Sequence, residues 1–185
     1  GAADYTICYY HQAGIKNVAG IKTTSAHQLA LSVIYYSPLQ FVFWYDKPSD
    51  VQGEPEVAFF DRLPTVWDTT KVILGETGRY AALARRRDST WFVGAITNND
   101  ARTLGIPLSF LQPDVTYHAT MYTDGGDAVP TRTHVKVERA LVTAASRVTA
   151  PLRPSGGMAI EIRPATDAEI RKVAPLTDAG GQARP

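Results

Sequence analysis

Cysteine is almost absent: Cys8 is the only one in 185 residues. An internal disulfide is therefore impossible, and a cysteine-built zinc site is excluded. One free thiol fits a reducing compartment, or a periplasmic protein that does not rely on disulfides. Charge of one sign is lacking too. The formal net charge is +1, so no strong field points to nucleic acid or to acidic membrane. No apolar run reaches the ~18 residues a membrane span needs. The longest, residues 29–45, is interrupted by Ser32, Ser37-Pro38 and Gln40. Neither an initiator Met nor a signal peptide opens the chain, so a fragment or a processed product is expected.

What is present reads as a mainly β chain. Hydrophobic residues make up 44% and charged residues 20%, which suits a globular protein with a sizeable core. Residues 65–110 fall into short strands cut by turns. Residues 71–74 are apolar and β-branched, 79–86 and 91–97 follow, and Leu104, Ile106, Leu108 and Phe110 alternate with Gly105, Pro107 and Ser109. Further strands are expected at 115–121, 135–143, 147–152 and 158–163, where Met158, Ile160 and Ile162 alternate with Ala159, Glu161 and Arg163. About eight strands at this spacing predict an antiparallel β-sandwich.

Before the strands, residues 1–22 read as a long loop. Thr23, Thr24 and Ser25 are candidate caps for a helix carrying Ala26, Leu29, Ala30, Val33 and Ile34 at helical spacing. Apolar on most sides, this helix is expected to be buried between layers. Pro38 ends or kinks it, and continuation of the helix through Tyr45 is favoured over a buried strand. Residues 46–56 read as a loop with solvated acids, and residues 57–63 as one or two helical turns. Residues 164–185 are expected to be a disordered tail with a helical turn at 167–172.

Catalytic patterns are sparse. A glycosidic carboxylate pair needs two acids ~5 Å apart for retention or ~6.5–9.5 Å apart for inversion. Near aromatics stand Asp4, Asp46, Asp50, Glu54 and Glu56, and Asp4 beside Tyr5 is the most suggestive. An Asx-turn or cap is the plainer role for Asp4. His11, His27, His118 and His134 lack metal-pair spacing, so no metal site is expected. His27 reads as buried and hydrogen-bonded; His118 and His134 read as exposed. Cys8 has no patterned His partner, and no Gly-x-Ser-x-Gly elbow occurs. The pairs Gly125-Gly126 and Gly156-Gly157 read as turns rather than phosphate loops. Trp44, Tyr45, Trp67 and Trp91 are candidates for stacking on sugar rings, with Trp67 and Trp44 foremost; core packing is the competing role.

Several motifs stand in order: Thr23-Thr24-Ser25-Ala26-His27-Gln28-Leu29, Tyr36-Ser37-Pro38-Leu39-Gln40, Leu63-Pro64-Thr65-Val66-Trp67-Asp68, Gly78-Arg79-Tyr80 and Trp91-Phe92-Val93-Gly94-Ala95-Ile96-Thr97-Asn98. Together they resemble the C-terminal portion of glycoside hydrolase family 97, a family of α-glucosidases and α-galactosidases. The opening Gly1-Ala2-Ala3-Asp4-Tyr5-Thr6 resembles the segment near the last strand of the family's barrel.

The resemblance implies that residues 1–63 are the end of a (β/α)8 barrel, with residues 26–45 its last helix. Residues 64–163 would be the C-terminal sandwich, an oligomerisation domain, and deleting residues 1–63 should leave it soluble. The family's catalytic carboxylates and calcium-binding glutamates would precede Gly1, leaving no catalytic residue and no cofactor in this chain. Asp4 and Tyr5 would lie at most near the active-site rim. Self-association, α-linked oligosaccharides or galactosides as substrates of the full-length enzyme, and a periplasmic or secreted location are further implications. Two rival readings remain: a carbohydrate-binding module using Trp67, and a small hydrolase pairing Asp4 with an acid of residues 46–56.

Overall fold

The structure is a computed structural model describing residues 4–7, 22–42, 49 and 51–177. It opens on a βαβ unit. Strand β1 (Tyr5–Ile7) pairs in parallel with β2 (Gln40–Val42), and helix α1 (Ser25–Ile34) connects them. Part of the long loop expected over residues 1–22 is therefore β1. Thr24 caps α1, its hydroxyl accepting from the His27 N–H at 3.1 Å. The helix stops at Ile34 and does not run on through residue 45. Pro38 disfavours helical backbone at Ser37, and the aromatic, branched Phe41-Val42 that follows takes the strand paired with β1. Trp44, Tyr45, Asp46, Asp50, Cys8 and His11 lie outside the described residues.

A 3-10 turn, Pro55–Val57, leads into α2 (Ala58–Arg62). Eight strands follow, as the alternation predicts. They are β3 (Thr69–Glu76), β4 (Tyr80–Arg87), β5 (Thr90–Thr97), β6 (Arg102–Pro107), β7 (Tyr117–Asp124), β8 (Val135–Val142), β9 (Arg147–Leu152) and β10 (Gly157–Pro164). Six form an antiparallel sheet in the order β3-β4-β5-β10-β7-β8, and β6 pairs with β9 across from it. The main core lies between these two layers, with Val93, Met121, Ile160 and Ile162 from the large sheet meeting Ile106, Val148 and Leu152.

The expected tail is ordered through Thr177. Helix α3 (Asp167–Lys172) carries a capping box of Thr166 and Glu169. Beyond it Pro175 bridges to Leu141, and the Leu176 N–H donates to the Leu141 carbonyl at 2.8 Å. This segment covers the β8 edge, which would otherwise be open to pairing.

The second face of the large sheet carries a second core. Leu29 and Val33 of α1, with Phe59 of α2, pack on Phe92, Tyr122 and Ala159. Phe59 meets Phe92 and Tyr122 edge-on at 5.8 and 5.2 Å. Residues 26–33 are all buried, as a helix between two layers requires. Cutting the chain after residue 63 would bare those sheet side chains, so the sandwich does not come away with a clean polar surface.

Two glycines let α1 sit this close. A Cβ on Gly94 would lie 2.5 Å from the Ala30 carbonyl oxygen, and one on Gly157 would lie 2.5 Å from His27 Cα. The helix start is tied down beside them. The Thr24 N–H donates to the Ser155 carbonyl at 3.2 Å. The His27 ring nitrogen Nδ1 bonds the Gly156 carbonyl at 3.0 Å. The Asp124 carboxylate accepts from the Gly157 N–H at 3.1 Å and from the Thr24 hydroxyl.

Gly94→Ala and Gly157→Ala should each lower stability by about 1–3 kcal/mol, because backbone must move. Gly75→Ala, whose new Cβ has no neighbour nearer than 3.9 Å, should change little; urea unfolding compares the three.

Burial pushes the His27 imidazole below its ordinary value. The unfolded chain therefore takes up a proton at higher pH than the folded one, and this contribution to stability is lost as pH falls through about 6.5. His118 is shifted the same way. Unfolding free energy should drop between about pH 7 and about pH 5, and His27→Gln should flatten that drop in part.

Candidate functional site

One row of side chains crosses the α1-facing side of the large sheet. Thr70, Arg85, Phe92, Glu161, Thr120 and Arg139 are directly opposed, strand to strand, from β3 to β8. On one side of this row Gly94, Ala159 and Tyr122 lie under the helices. On the other side the sheet is open, and a groove of about 920 Å³ runs between α3 and the β4–β5 turn.

Arg62, at the end of α2, leans over the row. Its Nε donates to Glu161 Oε2 at 2.7 Å and its Nη2 to the Tyr122 hydroxyl at 3.1 Å. Burial raises the Tyr122 phenol above its usual value. Glu161, Thr120 and His118 form a polar floor, each 6% exposed. Burial holds His118 below the ordinary imidazole value. At the rim Arg163 donates twice to Glu169, at 2.9 and 2.5 Å, and that pairing holds the Glu169 carboxyl far below the usual range.

At the β4 end of the row Arg85 is 4% exposed. Its Nη2 donates to the Ile34 carbonyl at the end of α1, at 2.9 Å. Its Nε and Nη1, and the nearby Trp67 Nε1, are buried without an acceptor among the described residues. The guanidinium lies 5.7 Å from the Tyr36 ring centre and 5.8 Å from that of Trp67, so cation–π attraction offsets part of the desolvation.

The residues singled out from sequence scatter. Asp4 is exposed and precedes β1. Tyr5 opens β1, its hydroxyl donating to Gln28 Oε1 at 3.2 Å and its ring edge-on to Tyr35. Both stand at the amino end of β1. Trp67 is half-buried and packs edge-on against Phe92 at 5.6 Å, and Trp91 is core. Trp44 lies outside the described residues.

Glu54 and Glu56 are buried rather than solvated, 6% and 0% exposed. Glu54 accepts from the Gln52 N–H at 2.7 Å and from Arg132; Glu56 accepts from the Thr133 hydroxyl. They fasten the loop before α2 to the β7–β8 connection. His118, expected at the surface, is buried, while His134 is exposed with its ring bonded to the Gly126 and Val129 carbonyls. Among the described residues no three His, Cys, Asp or Glu gather as metal ligands. No described helix is long and apolar enough to cross a membrane.

The groove went unrecognised in the sequence because its residues come from α2, α3, the β4–β5 turn and separate strands that meet only in the fold. The one local signal was polar Glu161 and Arg163 alternating with Ile160 and Ile162.

These features define an antiparallel β-sandwich fastened to a parallel βαβ unit, with buried carboxylates Glu54, Glu56 and Glu161 bonded to Arg132, Thr133 and Arg62. The chain belongs to the glycosyl-hydrolase 97 C-terminal, oligomerisation family, whose model matches residues 66–163. A retaining alpha-galactosidase of Bacteroides thetaiotaomicron is 38% identical over 141 residues, covering 76% of this chain and 21% of that protein. A probable retaining alpha-galactosidase of Streptomyces bingchenggensis is 32% identical over 109 residues, covering 58% of this chain and 16% of that protein. A glycoside hydrolase family 97 enzyme of Pseudoalteromonas sp. strain K8, solved in complex with panose, is 34% identical with a TM-score of 0.70. That match covers 80% of this chain and 23% of the other. The chain thus spans about a fifth of the length of the curated relatives it matches.

Trp67→Ala should cost about 3 kcal/mol through lost packing on Phe92, and Trp67→Phe should recover most of it by keeping an aromatic ring there without the orphaned N–H. Chemical denaturation of the two variants checks this.

Proposed function

We propose that the chain is the C-terminal portion of a larger family 97 glycoside hydrolase and is itself non-catalytic. Residues 1–63 would end the catalytic barrel, and residues 64–163 would form a sandwich that buttresses it. The observation that carries this reading is the β1–α1–β2 unit. It is a two-stranded parallel sheet, too small to stand alone, yet its connecting helix is wholly seated on the sandwich. Tyr35, Tyr36, Leu39 and Phe41 remain 48–58% exposed around the α1–β2 connection, where further barrel strands and helices would bury them.

Self-association is supported by the family's description and by β3, an eight-residue edge strand with Val72 74% exposed. Hydrolysis of α-linked galactosides by the longer protein is supported by the two curated relatives; a periplasmic or secreted location goes with that activity. Calcium, if the longer protein holds it, would be bound elsewhere: buried Glu54, Glu56 and Glu161 are already engaged by Arg132, Thr133 and Arg62.

The purified chain should give no turnover of aryl α-galactoside or aryl α-glucoside, with or without calcium, and light scattering should give a mass above the 20.2 kDa monomer. Turnover that survives repurification and disappears in Asp4→Asn would overturn the non-catalytic assignment. A strictly monomeric mass would overturn the self-association.

A further inference from the structure

The groove beside α3 carries a charge arrangement that the buttress role leaves unused. Its volume, about 920 Å³, falls within the ~300–1,000 Å³ typical of small-molecule sites. Three of its cations are engaged: Arg62 by Glu161 at 2.7 Å, Arg163 by Glu169 at 2.5 Å, and Arg87 by Asp68 at 3.2 Å. Arg139 and Lys172, which line the groove from β8 and from the end of α3, form no ion pair among the described residues, and the segment just after Lys172 pairs with β8 at Leu141. Arg139 and Lys172 are both exposed. Beside Arg139, on the neighbouring strand β7, lie Thr120 and His118, buried polar side chains with no side-chain hydrogen bond among the described residues.

This lining is mixed in a particular way. Two cations are free to take an anion. Glu161 and Glu169 keep lone pairs that accept from hydroxyls, and Thr120 and His118 each donate or accept. A bare anion would leave the acceptors unused, and a neutral sugar would leave the two cations unused.

We propose that this groove binds a sugar carrying one carboxylate or phosphate, with the anionic group on Arg139 and Lys172 and the hydroxyls on Glu161, Thr120 and His118.

The test uses the 185-residue chain at low salt, with calorimetry and amide chemical shifts read together. The probes are galacturonate, galactose 6-phosphate, galactose and inorganic phosphate. At least one acidic sugar should bind with a Kd of about 1 mM or tighter, and ~10-fold tighter than galactose or phosphate. Shifts should cluster at residues 118–120, 139 and 161–172. Arg139→Gln combined with Lys172→Gln should weaken binding ~10-fold or more, while Arg79→Gln, on the distant β3–β4 turn, should not. Binding of phosphate as tight as that of the acidic sugars would mean an adventitious ion only and would overturn the proposal. So would galactose binding as tightly as galacturonate, shifts confined to another face, an unaffected double variant, or no saturable binding by either acidic sugar.

Discussion

Everything in this molecule depends on how closely α1 lies against the large sheet. Gly94 and Gly157 leave the sheet without side chains where the helix crosses it, so the Ala30 carbonyl and the His27 backbone come within 2.5 Å of where a Cβ would stand. That approach lets Leu29, Val33 and Phe59 close over Phe92, Tyr122 and Ala159. It also brings Thr24 and His27 within hydrogen-bonding reach of the β9–β10 turn. A helix that follows the parallel strand β1 in the chain is thereby part of the sandwich's packing. The proposed buttress role rests on that shared core.

The buried polar groups serve the same attachment. Glu54 and Glu56 hold the loop before α2 to Arg132 and Thr133, Arg62 holds α2 to Glu161 and Tyr122, and Arg85 holds the end of α1 through Ile34. Each tie joins the segment before residue 64 to the sheet or to its β7–β8 connection. Each of these carboxylates has an arginine or hydroxyl partner, which offsets the cost of burying it.

Strand alternation made the sandwich legible in the sequence, because each strand shows one face to the core: Met158, Ile160 and Ile162 in β10 are the plainest case. The capped start of α1 was legible from Thr24, and its burial from apolar residues on most of its sides. The strand at Gln40–Val42 was not, since a short aromatic run reads equally as buried helix or strand until its partner is known, and that partner, Tyr5–Ile7, lies in a segment without pattern. Glu54, Glu56 and His118 looked solvated because their burial is imposed by distant partners. The row from Thr70 to Arg139 exists only once six strands are in register, so no local stretch could disclose the groove.

Amide hydrogen exchange on the intact chain tests the shared core most directly. If α1 and the sheet are one cooperative unit, the amides of Leu29–Val33 should exchange with the same opening free energy as those of β5 and β10 at their centres, near the global value. Exchange of the α1 amides orders of magnitude faster, with β5 and β10 still fully protected, would contradict the account, because the helix would then be a separate element merely resting on the sandwich.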